Sequence, residues 1–325
     1  MITVYAKRIP AYVIGFVLAA SLSLFAVVQI SAQENGGSGS GLSISPTRTE
    51  LNIQRGASEK VEINVRNVTR GAIIAKPFIS DFESDDATGE PRLYASTDKR
   101  NSASINSFVS GLQDVTLNPG EDKNLTYNVN VPADAAPGGY YGAITFRAVP
   151  ANQAGPESGE VALTANVASL VLIEVPGDIT EQIQVTSVKV LKDGKAGSFF
   201  TNKPTNVGIA VKNNGNSFSK PFGTISITDM SGKQVHSYEL NNSTPRGNVL
   251  PKSSRTFTDE LKNISKPGRY TVTANVSHGT GGEVLTQKVS FWYIPVWLLI
   301  ALIILLLGVA GGVFYLYRKQ FGRRK

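Results

Sequence analysis

The sequence is poor in the residues that carry most enzyme chemistry. Its 325 residues include no cysteine, two histidines, two methionines and two tryptophans. The missing cysteines exclude disulfide bonds, thiol catalysis and cysteine-ligated zinc. The two histidines, His236 and His278, do not stand at a zinc-ligand spacing, and no nucleophile elbow or phosphate-binding glycine loop occurs. The composition predicts a protein that is not an enzyme and that uses no cofactor and no catalytic residue.

Acidic residues are absent from both ends of the chain. The net charge is +7, and the seven basic residues in segments 1–32 and 294–325 account for the whole excess. Residues 33–293 are therefore neutral overall. A neutral body has no general field to hold a polyphosphate, which excludes nucleic acid as the expected partner.

Residues 1–32 have the pattern of an export signal. Lys7 and Arg8 precede an apolar stretch from Ala11 to Ile30, and Ser31 and Ala32 supply small residues for cleavage. An uncleaved anchor helix is the alternative, because the apolar stretch is long for a signal. Residues 33–41 follow as a flexible leader rich in glycine and serine.

A second apolar stretch near the C-terminus predicts a transmembrane helix over residues 294–317. Val296 to Leu316 carry no charge, and as a helix they would extend about 31 Å. Aromatic and basic residues mark its two ends. The predicted membrane-interface residues are Trp292, Tyr293, Trp297, Tyr315, Tyr317, Arg318 and Lys319. The basic tail, residues 318–325, predicts a single-pass type I protein of the plasma membrane with an extracellular body.

Gly308 and Gly312 form a GxxxG pattern within this apolar stretch. Such a pattern allows two membrane helices to approach closely. It supports an alternative function, in which the chain is a ligand-sensing accessory subunit that pairs with another protein through its membrane helix.

Between the two ends the sequence alternates apolar and polar residues as strands do. Val61–Val65, Leu125–Val129 and Val207–Val211 show this pattern, and Pro-Gly and Asn-Pro-Gly clusters separate such runs. Short strands at this spacing predict an all-β fold made of antiparallel sandwiches.

Four motifs recur in the same order along the body. Val61-Glu-Ile-Asn-Val-Arg-Asn67 matches Val207-Gly-Ile-Ala-Val-Lys-Asn213, and Pro137-Gly-Gly-Tyr140 matches Pro267-Gly-Arg-Tyr270. The repeat predicts two tandem Ig-like sandwiches, residues 42–176 and 183–292, joined by a linker of residues 177–182. The tyrosine of each Pro-Gly-x-Tyr element is expected to form a corner, its hydroxyl bonding nearby backbone.

Several of these segments resemble the WxL-interacting surface proteins. The resemblance rests on Ser45-Pro-Thr, the strand ending at Thr69, the turn from Thr116 to Glu121 and the strand from Gly138 to Phe146. It implies an Ig-like first domain that binds peptidoglycan and a second domain that contacts host or other surface proteins.

The acidic stretch near residue 81 is the one weak metal candidate. Alternating carboxylates can converge on calcium, although the spacing departs from an EF-hand. The candidate ligands are Asp81, Glu83, Asp85 and Asp86. They begin a long polar connection that reaches Asn106, a length typical of functional or disordered loops.

These observations predict a non-enzymatic cell-surface protein held in the membrane by its C-terminal helix. Its two sandwiches would act in adhesion, contacting cell-wall polymer or partner surface proteins through exposed loops and strand faces. An extracellular hydrolase that uses unassigned carboxylates is a further alternative.

Overall fold

The computed structural model describes residues 41–94, 101–151, 166–279 and 283–321. Over these ranges the chain is mostly β-strand, with one apolar helix at the C-terminal end. This confirms the β-rich class and the C-terminal helix. The predicted export signal and most of the leader lie outside the described residues.

The first half of the body forms two facing sheets. One sheet has the strand order β1-β3-β9-β7 and the other β2-β11-β10-β4-β8. A two-stranded hairpin, β5–β6, stands apart from both. The strands are β1 (Leu42–Ser45), β2 (Arg48–Asn52), β3 (Ser58–Asn67), β4 (Ile73–Ser80), β5 (Phe82–Ser84), β6 (Pro91–Leu93), β7 (Val109–Ser110), β8 (Val115–Leu117), β9 (Asp122–Asn130), β10 (Gly138–Pro150) and β11 (Asn166–Val175).

The second half repeats the arrangement. Its sheets have the orders β13-β12-β15-β18 and β14-β20-β19-β16-β17. The strands are β12 (Ile183–Lys192), β13 (Lys195–Gly197), β14 (Phe199–Phe200), β15 (Asn206–Asn213), β16 (Phe222–Asp229), β17 (Gln234–Leu240), β18 (Ser254–Glu260), β19 (Gly268–Ser277) and β20 (Leu285–Tyr293).

Each half buries its own apolar core between its two sheets. Ile63 of β3 and Phe146 of β10 belong to the first core, and Ile209 of β15 and Val272 of β19 belong to the second. Alternating strands place every second side chain on the inner face, so the patterns read from the sequence fall on core positions. The predicted strands around Ile63 and Ile209 are confirmed.

The sequence repeat corresponds to matching contacts in the two halves. Asn67 and Asn213 end β3 and β15, are fully buried, and donate their side-chain amides to backbone carbonyls four residues on, at 2.8 and 2.7 Å. The hydroxyls of Tyr140 and Tyr270 each donate to the carbonyl four residues earlier, at 3.0 and 2.7 Å. The expected tyrosine corners are confirmed.

The single helix, α1, runs from Val296 to Phe321. Its side chains are exposed from Ile300 to Lys319, and none of the most apolar part of the helix is buried within the described part of the chain. It is long and apolar enough to cross a membrane.

Candidate binding groove along an edge strand

The two halves meet through an apolar cluster on the outer face of the sheet that contains β10 and β11. Ala143 and Leu172 from that face pack with Leu250 of the second half. Tyr141 of β10 lies edge-on to Phe218, with 6.3 Å between ring centroids. The halves are therefore joined by packed side chains as well as by the linker.

A polar network centred on Glu50 of β2 surrounds this cluster. Glu50 accepts from Lys220 at 2.5 Å and from the side chain of Asn248 at 2.9 Å, and it lies 3.2 Å from Arg48. Burial by itself would raise the pKa of Glu50. The hydrogen bonds from Lys220 and Asn248 and the nearby cations outweigh burial, so the pKa lies below its ordinary value.

The cleft beside this network has a cavity volume of about 360 Å³ and is lined by three carboxylates. Two of them are already bonded, since Glu50 is occupied as described and Glu174 accepts from Ser217 at 2.6 Å. The third, Glu181, lies 3.4 Å from His278. Glu50 and Glu174 bond the first half to the second, and we assign the cleft a structural role.

The β5–β6 hairpin of the first half reaches across to the second half and clamps Arg255 of β18. A Cβ added at Gly89, in the hairpin turn, would lie 2.5 Å from Arg255 Nε, and one at Gly247 would lie 2.7 Å from Nη1. Arg255 also donates to Asn248 O at 3.1 Å and lies 5.0 Å from the Phe257 ring. The absence of side chains at both glycines makes room for the arginine.

Strand β18 is the outer strand of its sheet and pairs with β15 alone. Hydrogen-bonded pairs flank it: Leu261 donates its amide to Thr205 at 2.8 Å, and Ser253 accepts from Asn213 at 2.9 Å. Because bonded pairs alternate along an antiparallel ladder, the odd-numbered residues of β18 bond to β15. The even-numbered residues therefore direct their N–H and C=O groups to the open side: Ser254, Thr256, Thr258 and Glu260.

The hairpin occupies only the first of these outward positions. The amide of Ser254 donates to Asp86 Oδ1 at 3.3 Å. Within the described part of the chain, the backbone groups of Thr256, Thr258 and Glu260 have no partner on that side. The open side is a groove with a cavity volume of about 390 Å³. Its lining residues are Ala87, Thr88, Asn241, Asn242, Ser243, Arg255, Thr256, Phe257, Thr258 and Asp259.

Asp259 is the charged group of this groove that has no partner among the described residues. Its side chain is half-buried, and its Oδ2 is closed off from solvent without a hydrogen bond. Burial raises the pKa of Asp259. Burial, followed by the nearby Asp259 charge, also raises the pKa of the Tyr238 hydroxyl, which is likewise buried without a partner.

The four carboxylates expected as calcium ligands are not brought together. Asp81 is buried and accepts from Ser104 at 2.7 Å, whereas Asp85 accepts from the backbone of the hairpin turn and pairs with Arg92 at 2.6 Å. Asp86 binds the amide at the start of β18, and Glu83 is exposed. The described residues contain no group of three metal-ligating side chains. Asp85 and Asp86 serve the hairpin and its contact with β18, whereas Asp81 bonds the segment at Asn101 and Ser104.

The expected membrane-interface residues occupy two environments. Tyr293 is buried in the second core, whereas Trp292, beside it on β20, is 44% exposed. Trp297, Tyr315 and Tyr317 are exposed along α1, as are Arg318 and Lys319 at its far end. A Cβ added at Gly308 or Gly312 would meet nothing within 4 Å.

Sequence reasoning does not single out Gly89, Arg255 or Asp259. Gly89 and Arg255 are brought together only when the two halves dock, and no local pattern records this. One signal was available: in β18 the inward row of side chains is Arg255, Phe257 and Asp259, which places two charges on the face that should be apolar.

No protein-family model matches the chain, and no curated protein matches it. Several solved structures of fimbrial chaperones are similar to it. The class 5 fimbriae chaperone CfaA is 17% identical at a TM-score of 0.38, and the match covers 78% of this chain and all of that one. A chaperone–tip adhesin complex of CFA/I fimbriae is 15% identical (TM-score 0.39, 78% and 99% covered), and the E. coli chaperone DraB is 14% identical (0.34, 77% and 96%).

These comparisons correct two expectations. The assignment to the WxL-interacting proteins is wrong, because no match supports it and the similar structures are chaperones. The expected function, a membrane-anchored adhesion module that binds peptidoglycan or surface proteins, is contradicted by the same neighbours. The physical reason is that the motifs behind the resemblance are strand and turn patterns, which any β-sandwich can share.

Proposed function

We propose that this chain is a non-enzymatic protein that binds an extended segment of a partner protein by strand addition to β18. The observation that carries the proposal is the row of outward N–H and C=O groups at Thr256, Thr258 and Glu260. Such a row is complementary to the backbone of another strand. The groove beside it has room for side chains of the added segment.

Other edges in the described part of the chain are less suited to this role. Strand β17 is as long as β18, but a bulge interrupts its pairing near Val235, and Asn263 donates to the Val235 carbonyl at 3.2 Å. Bulges and such side-chain caps are common protections of sheet edges. The remaining outer strands have between two and five residues, too short for a stable added pairing.

A non-enzymatic role agrees with the surroundings of the two histidines. The His236 ring lies 5.6 Å from that of Tyr238, and the neighbour of His278 is Glu181 at 3.4 Å. Neither histidine is placed beside a serine or threonine hydroxyl in any described hydrogen bond. Strand addition requires only backbone groups and shape, so it needs no such chemistry.

Replacing Thr258 tests the strand addition. Thr258→Pro removes the outward N–H and leaves the ladder with β15 intact, since Thr258 does not bond to β15. Thr258→Val is the matched control, because it keeps the N–H and the β-branched shape. The full-length chain in detergent micelles would select binders from a displayed library of random ten-residue peptides. We expect the wild type and Thr258→Val to enrich the same peptides and Thr258→Pro to enrich at least tenfold fewer. Equal enrichment by Thr258→Pro would refute the proposal.

The domain limits and the location are separate parts of the proposal. We propose that residues 42–176 and 183–292 are tandem Ig-like domains, supported by the matching contacts of Asn67 and Asn213. We also propose that α1 crosses the plasma membrane once, with the β-rich body outside, because its exposed apolar surface needs a non-aqueous environment. Protease added to intact cells should then digest the body. Digestion that requires permeabilised cells would contradict this orientation.

A further inference from the structure

The added segment would place side chains beside the inward row of β18. Successive residues of a strand point to opposite faces, so every second residue of the segment would enter the groove next to Arg255, Phe257 and Asp259. The backbone N–H and C=O groups of these odd-numbered residues are hydrogen-bonded to β15. In an antiparallel addition they would face the segment in non-hydrogen-bonded pairs, where facing side chains lie closest.

The two charged members of this row differ in how they are engaged. Arg255 donates one hydrogen bond to Asn248, lies over the Phe257 ring and is enclosed between two glycines, although its Nε is buried without a hydrogen bond. Asp259, about 13 Å farther along the strand at 3.3 Å per residue, has neither a hydrogen bond nor an ion pair among the described residues. Half-buried and uncompensated, this carboxylate makes its end of the groove acidic.

We propose that the segment bound along β18 carries a lysine or arginine opposite Asp259. A basic side chain there supplies the donors that the carboxylate lacks, and the nearby Tyr238 hydroxyl is a further acceptor. An acidic side chain at the same position would face a like charge across the pair. This proposal rests on the proposed strand addition and specifies the partner's chemistry at one position.

The test compares the peptides that different variants select from the displayed library of random ten-residue peptides. The wild type should enrich peptides with a lysine or arginine at one position of an alternating pattern, and Asp259→Asn should lose that bias while still enriching peptides. Glu62→Gln is the matched control, because Glu62 is an exposed carboxylate on β3 that does not line the groove. It should keep the bias.

A measurement on the wild type alone completes the test. The best lysine-containing peptide and its Lys→Gln counterpart are compared by fluorescence anisotropy. We expect the glutamine peptide to bind about fivefold more weakly, the upper range for a cross-strand charge pair, and its binding to depend less on salt. Enrichment without a basic bias, or a bias that survives Asp259→Asn, would overturn this inference and leave strand addition standing. Identical enrichment by the wild type and Thr258→Pro would overturn both.

Discussion

Removal of the Glu50 side chain should loosen the junction between the two halves. Asn248 is 9% exposed, its amide nitrogen donates to Glu50, and its Oδ1 has no partner among the described residues. Glu50→Ala would therefore leave the whole buried amide unbonded. Losing a hydrogen bond to a charged group costs about 1.5–3 kcal/mol, and the half-exposed pair with Lys220 adds up to about 1 kcal/mol. The free energy that stabilises the docked arrangement of the two halves should fall by about 1.5–4 kcal/mol.

Hydrogen exchange at Gly139 measures this change directly. The Gly139 amide donates across the junction to Asn216 O at 2.8 Å, so it is protected only while the halves are docked. At about 1.4 kcal/mol for each factor of ten, Glu50→Ala should speed its exchange about 10- to 700-fold. The matched control is Glu62→Ala, which removes an exposed carboxylate from β3 and should change exchange little. A Glu50→Ala effect no larger than that of Glu62→Ala would refute the reasoning.

Three further outcomes follow from contacts already described. Because the pKa of Glu50 is depressed in the folded protein, its contribution to stability is present above the ordinary value of 4.5 and is lost as pH falls through the folded pKa. In Glu50→Gln, the free energy of unfolding measured by urea denaturation should therefore fall less steeply at acid pH. Gly89→Ala should destabilise the docked hairpin by about 2 kcal/mol more than Gly120→Ala does, as measured by hydrogen exchange. Both glycines have φ near +73, but of the two only Gly89 has a neighbour that an added Cβ would meet. Tyr270→Phe should lower the free energy of unfolding, measured by denaturant unfolding, by about 1 kcal/mol. Tyr238→Phe should leave it unchanged or raise it, because the Tyr238 hydroxyl is buried without a partner. Equal losses in the two variants would contradict this.

Much of the fold is predictable because its causes are local. Val61–Val65 and Val207–Val211 alternate with a period of two, and each becomes the centre of a core strand. The Pro-Gly-x-Tyr elements specify their corners because the hydroxyl reaches a carbonyl only four residues away. The helix follows from an uninterrupted apolar stretch.

The acidic stretch near residue 81 shows where local reasoning ends. Its spacing suggested converging carboxylates, but Asp85 bonds the turn of its own hairpin and Asp86 bonds β18. Neither the hairpin nor its contact with the second half has a signature in the spacing of acids. The assignment to the WxL-interacting proteins is wrong for a related reason, since strand and turn patterns are common to many β-sandwiches.

The sequence by itself determined which segments become strands, where the apolar helix lies and that the two halves share one pattern, because side-chain alternation and turn chemistry act over a few residues. Tertiary structure alone decided that Gly89 receives Arg255, that β18 is left at the edge of its sheet, and that Asp259 enters the groove without a partner. Those features depend on which distant segments meet when the sheets form and the halves dock, and packing between distant residues has no period along the chain.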